Sequence, residues 1–88
     1  MLITLKLFAT LGDYLPAQLD GRHRNRNELA IEVPDDATVE GVIERFHLPT
    51  TLVHLVVVNG FFIPPKDRAG RRLQPNDELA IWPPIAGG

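Results

Sequence analysis

The chain has 88 residues, of which 44% are hydrophobic and 23% charged, with a formal net charge of −2. This length suits a single domain with a modest core, and the slight negative charge gives no general attraction to nucleic acid or anionic lipid. The absence of cysteine excludes disulfides, thiolate metal sites and a cysteine nucleophile, and the absence of serine excludes a serine hydrolase.

The first part of the chain predicts two strands joined by a long connection. Residues 2–8 and residues 28–33 alternate apolar and polar side chains, which is the period of a half-buried strand. The segment 10–27 between them is rich in glycine, proline, asparagine and charge, and indicates a polar connection. We expect the two strands to pair as an antiparallel hairpin.

One amphipathic helix is predicted after Pro34. Asp36 or Thr38 can cap its first turn, and Pro49 ends it. Its apolar face is formed by four residues that recur at helical spacing: Val39, Val42, Ile43 and Phe46.

Three further strands are predicted beyond the helix. Residues 53–58 are mostly apolar and indicate a central strand buried on both faces, and Asn59-Gly60 is a strong signal for a two-residue turn into a return strand at 61–63. After a loop at 64–77, residues 78–82 alternate again, with Glu78, Ala80 and Trp82 expected to face outward.

The predicted order is therefore β-β-α-β-β-β, which is typical of an α+β β-grasp fold: a mixed sheet of four to five strands packed on one main helix. By analogy with that fold, the first and last strands should be adjacent and parallel. We expect a folded domain at residues 1–82, followed by an extended C-terminal tail at 83–88.

Few side chains suggest a site within the domain. The three histidines, His23, His47 and His54, share no metal-ligand spacing, so no metal site is predicted. No glycine-rich phosphate loop follows a strand, which argues against nucleotide binding by this chain.

Two basic loops, at 22–26 and 66–72, contain no aromatic residues for stacking on bases, so nucleic-acid binding is not expected. We interpret them as solvated loop tips, with steering towards an acidic partner as the best specific role.

A cytoplasmic location is expected from the N-terminus and from the apolar runs. The first residues lack the charged start and the small-residue cleavage site of a signal peptide. The longest apolar run is broken at Asn59-Gly60 and is too short for a membrane span, so no membrane partner is expected.

The ending WPPIAGG is the most distinctive stretch. Pro83 and Pro84 favour a stiff, extended approach, whereas Gly87 and Gly88 leave a thin tip without side chains. Extended, the six residues from Pro83 can reach ~20 Å. Such a tip would fit a narrow active-site channel in another protein.

The sequence resembles the ubiquitin-like sulfur carriers of the MoaD/ThiS family over nearly its whole length. The resemblance rests on LKLFATL at the first strand, VPDDATVEGVI at the helix, VVVNG before the turn, and LQPNDELAIWPPIAGG at the end. The Pro-Pro pair followed by a small apolar residue and Ala-Gly-Gly is most similar to MoaD, the small subunit of molybdopterin synthase. The long connection at 10–27 and the two basic loops are not typical of MoaD or of ThiS.

This resemblance implies chemistry at the Gly88 carboxylate. An E1-like partner would use ATP to adenylate it, and sulfur from a persulfide would convert the adenylate to a thiocarboxylate. The thiocarboxylate would then deliver sulfur to a pterin precursor in a larger catalytic subunit. The chain would be a co-substrate, not an enzyme on its own, and we expect no bound cofactor because the activating partner uses the ATP.

The resemblance also implies which residues meet the partners. Trp82, Phe61 and Phe62 are candidates for a docking patch, although burial in the core is an equally good interpretation of these aromatics. The residues expected to enter a partner's active site behind Gly88 are Gly87, Ala86, Ile85, Pro84 and Pro83.

Other functions are compatible with the same C-terminal Gly-Gly sequence. The sulfur acceptor could instead be thiamine thiazole, tRNA or a tungsten-pterin. A ubiquitin-like modifier would use Gly88 to form an isopeptide bond with a target lysine, and a plain interaction domain would leave the tail idle.

Overall fold

The computed structural model of the chain describes residues 1–84. The predictions for Ile85, Ala86, Gly87 and Gly88 lie outside the described residues. One α-helix, α1, spans Val39–Arg45, and short 3₁₀ turns span Ala9–Tyr14, Thr50–Leu52 and Pro65–Asp67. The strands are β1 Leu2–Leu7, β2 Gln18–Leu19, β3 Arg22–His23, β4 Glu28–Glu32, β5 Leu55–Val58, β6 Phe61–Phe62 and β7 Glu78–Trp82.

Five strands form one mixed sheet in the order β4-β1-β7-β5-β6. Strand β1 pairs antiparallel with β4, placing Leu5 opposite Leu29, and parallel with β7, placing Leu5 opposite Leu79. Strand β7 pairs antiparallel with β5 on its other side. This topology confirms the predicted β-grasp fold, including the parallel neighbours that only fold analogy had suggested.

The hydrophobic core lies between the sheet and α1. Thr38 caps the helix by accepting a hydrogen bond from the Gly41 N–H at 3.0 Å. Val39, Val42 and Ile43 are buried on the helix side of the core. The sheet contributes the inward residues of four strands, Ile3, Leu5, Leu7, Leu29, Ile31, Val56, Val58, Leu79 and Ile81.

The prediction for residues 53–58 was wrong in two respects. The strand starts only at Leu55, and its burial alternates, with Leu55 37% exposed and Val57 half-buried. One short helix can cover only one face of the sheet, so every second residue of this apolar strand stays near the surface. The central strand is β7, where even the outward Ala80 is buried between its neighbours Lys6 and Val57.

The connection 10–27 is more ordered than its composition suggested. It contains the first 3₁₀ turn and the β2–β3 ladder, and it buries Leu11 and Leu15 in the core. The Arg24 guanidinium donates hydrogen bonds to the Gly12 carbonyl at 2.8 Å and to the Leu15 carbonyl at 2.9 Å. Arg24 therefore holds the end of the connection against its first turn. The interpretation of this basic loop as a purely solvated tip was wrong.

Arg68 in the second basic loop is also structural. It is 7% exposed and donates to the Ile63 and His54 carbonyls at 3.3 and 3.2 Å. Burial lowers the pKa of Arg68 below its ordinary value, although attraction to Glu40 partly opposes this. These bonds join the loop to the residue that follows β6 and to the residue that precedes β5.

The Asn59-Gly60 turn is confirmed, with both residues at positive φ of 51° and 87°. The Asn59 amide donates to the Asp77 carboxylate at 2.7 Å and accepts from the Glu78 N–H at 2.9 Å. Asp77 also accepts from the Gln74 N–H at 2.8 Å. The turn between β5 and β6 is thereby tied to the loop that enters β7.

We expect Leu5→Ala to lower the free energy of unfolding by about 2–5 kcal/mol, because it leaves a cavity beside Leu29 and Leu79 at the middle of the sheet. Leu2→Ala in the same strand is the matched control, since Leu2 is 36% exposed, and it should cost about 0.5 kcal/mol or less. Urea unfolding followed by circular dichroism measures both values. Equal losses for the two variants would contradict the position of the core.

Candidate docking face and tail base

The end of β7 is held from both sides where the tail begins. The Phe8 N–H donates to the Ile81 carbonyl at 3.1 Å, and the His54 N–H donates to the Trp82 carbonyl at 3.0 Å. Pro83 follows half-buried and Pro84 is exposed. Because both neighbouring chain segments hold the strand to its last residue, the point from which the tail leaves the domain is determined by the sheet.

An aromatic stack covers this tail base. The rings of Phe8 and Trp82 lie 4.1 Å apart, centroid to centroid, and are nearly parallel at 5°. Trp82 is consequently half-buried on the outer surface of the sheet, neither in the core nor fully free for a partner. Sequence reasoning missed Phe8, because its partnership with Trp82 depends on the parallel register of β1 and β7.

The other two predicted docking residues are exposed but lie on different faces. Phe62 is 56% exposed and pairs with Val57, so it faces outward. Phe61 is 74% exposed but pairs with the buried Val58, which places it on the helix side at the margin of the sheet. Only Phe62 of this pair shares the outer face with Trp82.

The outer face carries a continuous apolar area on its β5–β6 side. Leu55 is the cross-strand partner of Trp82, and Val57 is the partner of both Ala80 and Phe62. We call Leu55, Val57, Phe62 and Trp82 the outer apolar patch. Leu55 and Val57 were missed because the run LVVV gives no alternation by which the outward residues could be recognised.

The β4–β1 side of the same face is charged. Lys6 Nζ lies 3.2 Å from a carboxylate oxygen of Glu78 and 3.5 Å from one of Glu28. The hydrogen bond to Glu78 is the main reason that the pKa of Lys6 is raised above its ordinary value, with Glu28 adding to it. The outer face is therefore divided into an ion-paired half and an apolar half, and the tail base adjoins the apolar half.

Within residues 1–84, no three histidine, aspartate or glutamate side chains come together in a way that could hold a metal ion. His23, His47 and His54 are all exposed. No helix of the described part is long and apolar enough to cross a membrane.

Within residues 1–84, one helix packed on a five-stranded mixed sheet whose last strand leads into Pro83 defines a ubiquitin-like β-grasp protein. Among solved structures, the chain is similar to SAMP1 from Haloferax volcanii, with a TM-score of 0.64 and 24% identity over 100% of both chains. That likeness shows the shared fold. No curated protein sequence matches the chain.

Residues 6–88 match the ThiS family, and the chain belongs to this family of ubiquitin-like sulfur carriers and modifiers. The match begins within β1 and continues to Gly88. Members of the family generally work with E1-like activating enzymes and with acceptor partners, and the small carrier itself is generally not the catalyst.

We expect the Phe8–Trp82 stack to stabilise the tail base by about 0.5–1.5 kcal/mol beyond the area it buries. A double-mutant cycle with Phe8→Leu and Trp82→Leu measures this coupling by urea unfolding. The control cycle combines Phe8→Leu with Phe46→Leu on the helix side, where we expect a coupling below about 0.5 kcal/mol. Two cycles with the same coupling would show that the stack adds nothing specific.

Proposed function

We propose that this chain is a sulfur carrier for molybdopterin synthesis, with the Gly88 carboxylate as the group that carries the sulfur. The observation that carries the proposal is the family match through Gly88, together with a last strand held by hydrogen bonds up to Trp82. The Pro-Pro pair and the Ile-Ala-Gly-Gly ending favour the MoaD type within the family.

The chemistry needs activation because a carboxylate is a poor acyl donor. An E1-like enzyme joins the Gly88 carboxylate to AMP and releases pyrophosphate from ATP. A persulfide sulfur then attacks the acyl carbon, and AMP leaves. A thiol, as the reductant, attacks the outer sulfur of the resulting acyl disulfide, which releases the thiocarboxylate and leaves the thiol joined to the donor sulfur as a disulfide. The thiocarboxylate sulfur is a strong nucleophile that can attack a pterin precursor in the larger synthase subunit.

In this scheme the chain presents a substrate group and its partners hold the catalytic residues. Gly87 offers no side chain to obstruct a channel, and Ala86, Ile85, Pro84 and Pro83 guide the tip into it. The chain itself needs no cofactor, since the activating enzyme consumes the ATP.

The outer apolar patch is the proposed docking surface for these partners. Leu55 lies opposite Trp82, so the patch begins beside the residue from which the tail departs. A partner that covers the patch would therefore hold its active site within reach of the tail. Exposed aromatic side chains on such a face are typical of interfaces, where they contribute much of the affinity.

The second candidate is a ubiquitin-like modifier. It begins with the same adenylate, and a lysine amine of a target protein then replaces AMP in place of sulfur. Sulfur delivery to thiamine thiazole, to tRNA or to a tungsten-pterin shares every step with the main proposal except the last acceptor.

The first test is mass spectrometry of the intact chain after incubation with its E1-like enzyme, ATP and a persulfide donor. We expect the replacement of one oxygen by sulfur, and we expect a variant lacking Gly88 to show no change. Addition of the large synthase subunit and pterin precursor should return the carrier to its carboxylate form and yield molybdopterin. Conjugates of high mass that resist thiol reagents, without any thiocarboxylate, would favour the modifier and contradict the main proposal.

The second test addresses the docking surface. We expect Phe62→Asp to weaken binding of the large synthase subunit by about fivefold or more, since it puts a charge into the outer apolar patch. Phe61→Asp is the matched control, because Phe61 is even more exposed but lies on the opposite face. Isothermal titration calorimetry measures both affinities, and thermal unfolding checks that both variants remain folded. A stronger effect at Phe61 would place the interface elsewhere.

A further inference from the structure

The amino groups of this chain are few and differ sharply in their surroundings. Lysine occurs only at positions 6 and 66, so with the N-terminus of Met1 the chain has three amines that could attack an activated acyl group. An amine attacks only in its neutral form, so one held as an ammonium ion by hydrogen bonds and carboxylates is a poor nucleophile.

The Met1 amine is held by the fold. It donates to the Val33 carbonyl at 2.8 Å and lies 3.6 Å from a Glu32 carboxylate oxygen and 3.9 Å from one of Asp35. The Met1 side chain is only 8% exposed. Its reaction would require opening of the contact between the start of β1 and the end of β4.

Lys6 is held in a comparable way on the outer face. Its amine lies between Glu28 and Glu78, and the hydrogen bond to Glu78 raises its pKa, which further reduces the neutral fraction. Its side chain is 26% exposed. Both Met1 and Lys6 are therefore engaged with carboxylates in the folded chain.

Lys66 has different surroundings. It lies in the exposed 3₁₀ turn Pro65–Asp67, and within residues 1–84 its amine makes no ion pair. It lines an open cleft of about 460 Å³. The other residues that line this cleft are Phe62, Ile63, Pro64, Asp67, Gly70 and Arg71.

We propose that Lys66 is a modification site, the acceptor amine for the activated C-terminus of a second copy of this chain. The inference rests on the activation of Gly88 stated under the proposed function. The neutral Lys66 amine attacks the Gly88 acyl carbon of the adenylate, the bond to the AMP oxygen breaks, AMP leaves, and the extra proton passes to water. The product is an isopeptide bond between two copies.

The cleft suits this occupant in shape and in charge. Gly70 presents no side chain, and Phe62, which is 56% exposed, offers apolar surface to the Ile-Ala part of an incoming tail. Arg71 lines the same cleft, where it balances the negative charge of Asp67 and offers a cation to the anionic phosphate of the adenylate. A narrow Gly-Gly tip can therefore approach the Lys66 amine closely.

This assignment makes sulfur transfer and self-conjugation compete for one intermediate. A persulfide and the Lys66 amine both attack the same acyl carbon, so linkage between copies should increase when the sulfur donor is withheld. With a single reactive amine per chain, successive copies would be joined through one type of bond.

The experiment incubates the full chain with its E1-like enzyme and ATP without a sulfur donor, and measures pyrophosphate release, intact mass and the linked peptide. We expect a product of two copies less one water, with the isopeptide at Lys66. Lys66→Arg should abolish it and leave pyrophosphate release unchanged. Lys6→Arg is the matched control and should form the product as the native chain does.

The remaining outcomes each overturn a claim. Linkage at Lys6 or at Met1, or pyrophosphate release without any linked product, overturns the assignment of Lys66 and leaves the proposed function standing. Absence of pyrophosphate release overturns the proposed function and this inference with it. Limited acetylation with an N-hydroxysuccinimide ester tests the amine ranking independently: Lys66 should react first, and earlier reaction of Lys6 would contradict the ranking.

Discussion

The parallel pairing of β1 with β7 is the constraint on which the rest of this structure depends. This pairing brings the first and last strands of the chain together in the middle of the sheet. Leu5 and Leu79 meet there in the core, and the same register brings Phe8 against Trp82. Stability of the domain and the position of the tail base thus follow from one set of backbone hydrogen bonds.

The second constraint is that one short helix covers one face of a five-stranded sheet. The other face of the sheet is left to solvent. Its two halves differ in polarity. The β4–β1 half is charged, because Lys6 lies there between the carboxylates of Glu28 and Glu78. The β5–β6 half is apolar, because Phe62 and Leu55 are exposed there. Ion pairs of this kind contribute little stability, and an exposed apolar surface contributes little as well. The docking proposed for the outer apolar patch would give this division a purpose that folding does not.

The fold could be predicted from the sequence because its signals are local. Alternation identified β1, β4 and β7, helical spacing identified α1, and Asn59-Gly60 identified the turn. The alternating burial of the LVVV strand could not be predicted. A strand of apolar residues has the same sequence pattern whether one or both of its faces are covered. The structural hydrogen bonds of Arg24 and Arg68 could not be predicted either. Their acceptors are backbone carbonyls, which every residue has, so no residue type indicates them.

The candidate site was predictable only in part, because its two components are encoded differently. The Gly-Gly ending and the proline pair are contiguous and were recognised directly, whereas the outer apolar patch is assembled from three strands and needed their register. This separation has a functional consequence. In the proposed function, the tail would present the same carboxylate to every partner, and the outer apolar patch at its base would select the partner that can use it. On this proposal, substitutions at Phe62 or Leu55 alone would change the partner and leave the chemistry of the tail unchanged.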